Sequence, residues 1–121
     1  MDRKDIGAGG ARPGNCVKGD AAMHCLTVLY PAPKDPAHFK SYYERTHVPL
    51  AKQLPGLKSC AFAYPEPLGP GQPPFCVFQA YFENAAALFA ALQSEIGGKV
   101  AADVPNYSPD GATLFHFPVG A

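Results

Sequence analysis

From His24 the chain reads HCLTVLY, almost wholly apolar with β-branched positions, and it stops at Tyr30-Pro31, where proline removes a ladder donor. That pattern predicts a first strand. Asp35 before Pro36 supplies a helix N-cap followed by proline at the first helical position, so a helix is expected to run towards Leu54. At about 100° per residue, Phe39, Tyr43, His47, Leu50 and Leu54 fall on one stripe, with Lys40, Glu44, Arg45 and Lys52 on the other side. His47 sits at the edge of that stripe. Pro49 interrupts the pattern: it has no N–H and its ring collides with the carbonyl of Arg45, which predicts a kink or restart near Val48. Phe39, Tyr43 and His47 all precede the break, so their common face does not depend on it.

Leu54-Pro55-Gly56 ends the helix, and Lys58 to Tyr64 (KSCAFAY) reads as a second strand before the Pro- and Gly-rich loop Pro65 to Pro74. Phe75 to Phe82 (FCVFQAYF) is a third strand, and Asn84 caps an Ala-rich helix over Ala85 to Gln93. Ser94 to Val104 reads as a short irregular helical segment weakened by Gly97-Gly98; Pro105 ends it, Asp110-Gly111 marks a turn, and Thr113 to Phe117 (TLFHF) is a last strand. The order β-α-β-β-α-β is that of the ferredoxin-like α+β fold, a four-stranded antiparallel sheet with two helices on one face. The first and third strands are apolar on both faces, so the face away from the helices needs a cover. The sheet of a second subunit is the simplest one, which predicts a homodimer.

Residues 1–22 are rich in glycine and small polar side chains and show no periodicity. They are expected to form a mobile tail ahead of a domain over 23–121. A chain of 121 residues has room for one ordinary core. Ten Lys and Arg balance ten Asp and Glu, which leaves no field to draw in nucleic acid or anionic lipid. No apolar run reaches membrane-helix length and the N-terminus lacks a signal-peptide core, so no membrane partner and a cytoplasmic location are expected. Cys16, Cys25, Cys60 and Cys76 show no CxxC spacing and are expected as reduced thiols.

The run FKSYYERTHVPLAKQLPGL from Phe39, with Tyr30-Pro31 before it, resembles the EthD family of dimeric α+β barrel proteins. The stretch from Pro73 to Glu95 and the segment Ala102 to Tyr107 (ADVPNY) agree with it, so the resemblance spans about His24 to Phe117. It implies a dimeric α+β barrel with a ligand pocket between sheet and helices, and it carries Tyr43, His47 and Asp103 over as site residues. Fold alone would not settle activity, because ferredoxin-like sheets host many unrelated functions.

His47 is the side chain able to change protonation near neutral pH from an otherwise apolar helix face, which suits a general acid or base; the alternative is a core histidine satisfied by a carbonyl. Tyr43, one turn earlier, either bonds a substrate oxygen, orients the imidazole, or packs as a core aromatic. Asp103 either stabilises the imidazolium and fixes its tautomer or bonds local amides. Phe62, Phe78 and Tyr107 are candidates to line a pocket for a ring-shaped ligand. The histidines His24, His38, His47 and His116 are scattered, and no glycine-rich phosphate loop follows a strand, so no metal, haem or nucleotide cofactor is expected. The function expected is cofactor-free proton transfer of isomerase, dehydratase or monooxygenase type on a small apolar or aromatic metabolite. A non-catalytic metabolite-binding or accessory dimer, serving a neighbouring oxygenase, is the alternative.

Overall fold

The computed structural model describes residues 23–120. The expected tail over 1–22 lies outside the described residues. Strand β1 (His24–Tyr30) leads to helix α1 (Pro36–Tyr42), a π-helical turn (Tyr43–His47) and helix α2 (Val48–Ala51). Strands β2 (Ser59–Ala63) and β3 (Cys76–Phe82) follow, then helices α3 (Ala85–Gln93) and α4 (Glu95–Asp103), a 3-10 turn (Val104–Asn106) and strand β4 (Thr113–Pro118). The sheet order is β2-β3-β1-β4 and every pairing is antiparallel. This is the ferredoxin-like α+β fold, with β1 and β3 at its centre.

The helix after β1 begins as its sequence dictates: Asp35 accepts a hydrogen bond from the His38 amide at 3.1 Å and Pro36 fills the first turn. Pro49 has the predicted consequence in a particular form. Between Tyr43 and His47 the helix widens into a π turn, and the Val48 amide donates to Tyr43 O. The chain turns less per residue there, so everything after His47 is rotated backwards relative to a continuous α-helix. Phe39, Tyr43, His47 and Leu54 are buried as the stripe requires, but Leu50 is only half-buried, and Val48 and Ala51 take its place in the core. The helix ends at Ala51, three residues before Leu54, which enters the core from the following turn.

The segment after Ser94 departs from expectation. In place of an irregular stretch there is a nine-residue α-helix, capped by Ser94 Oγ accepting from the Gly97 amide at 3.0 Å, so three helical segments and not two flank the sheet. Gly97 is the reason it can form here. A Cβ on Gly97 would lie 2.3 Å from Ala91 O and 2.4 Å from Leu92 O, so only glycine lets α4 turn back this closely on α3.

The two sheet faces differ. Leu26, Val28, Tyr30, Cys76, Phe78 and Ala80 face the helices and form the core. On the opposite face Thr27 accepts from Gln79 at 3.3 Å and Gln79 accepts from Tyr81 at 3.4 Å, so this face carries a polar patch that the apolar reading of β1 and β3 did not foresee. Beside it, Phe115 and Phe117 stand stacked with centroids 6.1 Å apart and remain exposed.

Gly97→Ala is expected to cost about 1–3 kcal/mol, as overpacking does, even though alanine is the better helix former. Gly98→Ala, where no atom lies within 4 Å of the new Cβ, is expected to gain about 0.5–1 kcal/mol. Urea denaturation of the two variants reads both signs; a stable Gly97→Ala protein would contradict the close approach.

Candidate active site around His47

The π turn sets the site. It delivers Tyr42 to the helix flank and Tyr43 and His47 to the sheet side, where the rings of Phe39, Tyr43 and His47 stack in sequence, with centroids 5.3 and 5.5 Å apart. Asp103 arrives from the end of α4. His47 Nδ1 lies 2.9 Å from Asp103 Oδ2, the Tyr42 hydroxyl donates to Oδ1 at 2.6 Å, and Asn106 Nδ2 donates to the same oxygen at 2.9 Å. A carboxylate can only accept, so Nδ1 carries the hydrogen and Nε2 of a neutral ring is the acceptor.

Burial disfavours the charged forms of both partners, and their neighbours oppose it. For His47 desolvation prevails over the attraction of Asp103, and its pKa falls below the ordinary histidine value of 6.5. For Asp103 desolvation acts upward, but the hydrogen bonds from Tyr42, Asn106 and His47 outweigh it and hold the carboxyl below 3.8. At neutral pH the pair is therefore neutral imidazole beside carboxylate. Burial pushes the Tyr30 hydroxyl up to about 12 and raises Tyr43 and Tyr107 further, so the neighbouring tyrosines remain phenols.

His47 forms part of the wall of a partly enclosed cavity of about 80 Å³ between the sheet and the helices. Leu26, Val28 and Phe78 line it from the sheet, Ala51 from α2 and Leu54 from the turn after it, and Gly97, Val100, Ala101 and Val104 from α4 and its continuation, while Leu92 and Leu114 flank the exposed side. Wider hollows of about 390 Å³ lie beside Asp110 and beside the Pro65–Pro74 loop. Those are shallow and open, whereas enclosure next to an ionisable ring is what acid–base chemistry requires.

The residues singled out from sequence separate here. His47 and Asp103 meet, and Phe78 lines the cavity. Tyr107 is buried with its ring 4.6 Å from the His47 ring, but its hydroxyl pairs with that of Tyr30 at 2.8 Å and it does not line the cavity. Phe62 packs edge-on against Tyr43 at the rim of the sheet and also stays outside it. Tyr43 is fully buried beneath His47, and its hydroxyl finds no hydrogen-bond partner. Tyr42 and Asn106 were missed. Asn106, three residues after Asp103 in the turn that Val104-Pro105 begins, carried a usable local signal; Tyr42 carried none, since only the fold brings it to Asp103. His24 and His116 also pair, ring nitrogen to ring nitrogen at 2.8 Å, and His38 Nε2 reaches Asn106 O at 3.2 Å. Among the described residues no three His, Cys, Asp or Glu side chains are grouped to hold a metal ion.

The His47 ring is expected to titrate with a midpoint below 6.5, and Asp103→Asn, which removes the attraction that raises it, is expected to lower that midpoint further. Because the unfolded chain then binds the proton more readily than the folded one, the stability contribution of His47 falls as pH drops below 6.5 towards the folded midpoint. NMR of the ring carbons and nitrogens checks the titration; a higher midpoint in Asp103→Asn would refute the pairing.

The EthD domain profile matches residues 32–110. The chain is 38% identical over 94 residues to the uncharacterized 11.0 kDa protein in the thcB-thcC intergenic region of Rhodococcus erythropolis, covering 76% of this chain and 90% of that one. An EthD family protein of Bacillus halodurans superposes with a TM-score of 0.71 at 25% identity, covering 78% of this chain and 96% of its own. A dimeric ferredoxin-like protein of unknown function from Thermobifida fusca gives 0.62 at 15% identity, covering 80% and 91%. Sequence and fold agree, and this chain belongs to the EthD family.

Proposed function

We propose that the chain binds a small, largely apolar metabolite in the cavity beside His47 and moves a proton to or from it, with no cofactor taking part. One observation carries this reading: an imidazole whose Nδ1 is bound to a carboxylate 2.9 Å away forms part of the wall of a partly enclosed apolar cavity. A general base needs its proton-accepting atom directed at the substrate, its other nitrogen fixed, and a pKa near or below neutrality so that it is unprotonated when substrate arrives. Asp103 fixes the ring and stabilises the imidazolium once the proton has moved. Tyr43, stacked on His47, is a positioning residue in this scheme. Phe78 meets the ligand, and Tyr107 packs against the imidazole, the two ring centroids 4.6 Å apart. Isomerisation, dehydration and cofactor-free oxygenation all begin with such a transfer. This reading sets the protein in the cytoplasm, where thiols such as those of Cys25, Cys60 and Cys76 stay reduced.

The same reading makes the protein a homodimer. Phe115 and Phe117 are 42% and 37% exposed on the sheet face away from the helices, next to the Thr27–Gln79–Tyr81 patch, and a second sheet laid over them would bury both. The structural similarity to a dimeric ferredoxin-like protein supports this arrangement. Each subunit then keeps its own cavity, because the cavity opens on the helix side of the sheet.

Ligand carried through purification from the native host, identified by mass spectrometry, supplies the substrate for the test. His47→Ala is expected to fold, by circular dichroism, and to lose about 10²–10⁴-fold in kcat. A folded variant as active as wild type removes the acid–base role, and binding without turnover in wild type favours the accessory dimer. Light scattering is expected to give twice the chain mass at micromolar concentration, and the double variant Phe115→Arg, Phe117→Arg the monomer mass; a wild-type monomer refutes the sheet-to-sheet dimer.

A further inference from the structure

Asp103 has two tasks beside His47 that pull against each other, and the groups on its far oxygen decide between them; this inference rests on the proton-transfer reading for its meaning, though not for its test. A base must be neutral when substrate arrives and stabilised once it has taken the proton. A bare carboxylate serves only the second task, because its full charge draws a proton onto the ring before any substrate is present. The carboxylate here is not bare. Its Oδ2 lies 2.9 Å from His47 Nδ1, whereas Oδ1 receives the Tyr42 hydroxyl at 2.6 Å and Asn106 Nδ2 at 2.9 Å. The shortest of these, at 2.6 Å, has the length of a charge-assisted O–H···O⁻ bond. Asn106 Nδ2 also donates to the Tyr42 oxygen at 3.3 Å, so the two donors hold each other in place.

Each bond to Oδ1 draws negative charge towards that oxygen and leaves Oδ2 the weaker acceptor, so the imidazolium gains less from it. Tyr42 keeps its own proton while doing so, because the bond to Asp103 raises its hydroxyl above the ordinary tyrosine value of 10.0. No second charge intervenes. Tyr43 from the same turn, Tyr107 after the 3-10 turn and Tyr30 from β1 surround the site as phenols. Glu44, Arg45 and Lys52 are exposed, Glu44 accepting from the Tyr64 hydroxyl at 2.7 Å, and on α4 Lys99 pairs with Glu95 at 3.7 Å in solvent. Among the described residues Asp103 is therefore the charged group that His47 meets, and what happens at Oδ1 reaches the ring through it.

We propose that Tyr42 and Asn106 are positioning residues of the His47 site, which by occupying Oδ1 of Asp103 limit the negative charge that Oδ2 presents to the imidazole. Burial and these two donors then act in the same direction on His47, and the ring stays neutral beside a carboxylate that still receives the proton's charge after transfer. Tyr42 and Asp103 consequently have opposite effects on the same ring, although they touch each other.

NMR titration of the His47 ring in the full chain, with no ligand added, tests this by sign. Tyr42→Phe loses only the hydroxyl and keeps the ring that stacks on Tyr107 with centroids 5.9 Å apart. It is expected to move the His47 midpoint upward, raising the imidazolium fraction on the basic side of the midpoint by roughly two- to fivefold, part of the tenfold or more that a direct hydrogen bond to a charge commands. Asn106→Ala is expected to move it the same way, and Asp103→Asn the other way. In the Asp103→Asn background Tyr42→Phe is expected to leave the midpoint where it is, since the charge it acts through is gone. If Tyr42 were only a prop, its loss would let the carboxylate swing away from His47, and the midpoint would fall as it does in Asp103→Asn. A fall or no movement in Tyr42→Phe overturns the proposal, and so does an upward shift in the double variant equal to that in wild type. Should Tyr42→Phe not fold, the sign in Asn106→Ala, an exposed position, decides in its place. Full activity in His47→Ala removes the proton-transfer reading and leaves these midpoints to decide the charge effect separately.

Discussion

A proline in the middle of a helix must lose one hydrogen bond and avoid one carbonyl, and in this chain that constraint organises the site. Pro49 cannot donate to Arg45, and the helix answers by opening a π turn over Tyr43–His47 immediately before it. The wider turn holds Tyr43 and His47 on the sheet side, where they stack, and puts Tyr42 on the flank. It also rotates the following residues, so that Val48 and Ala51 close the core behind His47 and Leu50 is displaced from it. An imidazole at such a junction is packed on one side by aromatic rings and left facing a gap on the other.

Asp103 depends on that turn and in turn fixes its chemistry. A carboxylate drawn away from water is tolerable only with donors, and it receives three, from Tyr42, His47 and Asn106. Two come from the first helical segment and one from its own turn, so the contact is also a tertiary clamp between α1 with its π turn and the end of α4. The clamp needs α4 close to α3 and the sheet, and that approach passes through Gly97, whose missing Cβ makes room for the carbonyls of Ala91 and Leu92. Gly97-Gly98 therefore has opposite meanings in the two descriptions. As propensity it weakens a helix; as packing, Gly97 is what admits the helix that carries Asp103.

The separation of polar and apolar work across the sheet follows from the same layering. The helix face takes the large aromatics and the cavity. The other face keeps a short hydrogen-bonded patch and two exposed phenylalanines, which suits a surface meant to be covered by a like surface.

The sequence by itself determined the element order, the inward stripe of Phe39, Tyr43 and His47, the helix caps at Asp35 and Asn84, and the disturbance at Pro49, because each depends on local sterics or on a period that neighbouring residues share. His47 and Asp103 were legible as separate candidates. Their meeting, with Tyr42 and Asn106 around the carboxylate, was decided by the tertiary structure, since contacts between residues 56 and 61 positions apart leave no periodic trace. The regular helix over Glu95–Asp103 was likewise decided by packing against α3. Which aromatics border the cavity belonged to the fold as well: the register of β2 on β3 pairs Phe62 with Phe78 on one face, and the position of the helices above that face leaves Phe78 beside the gap and Phe62 at its rim.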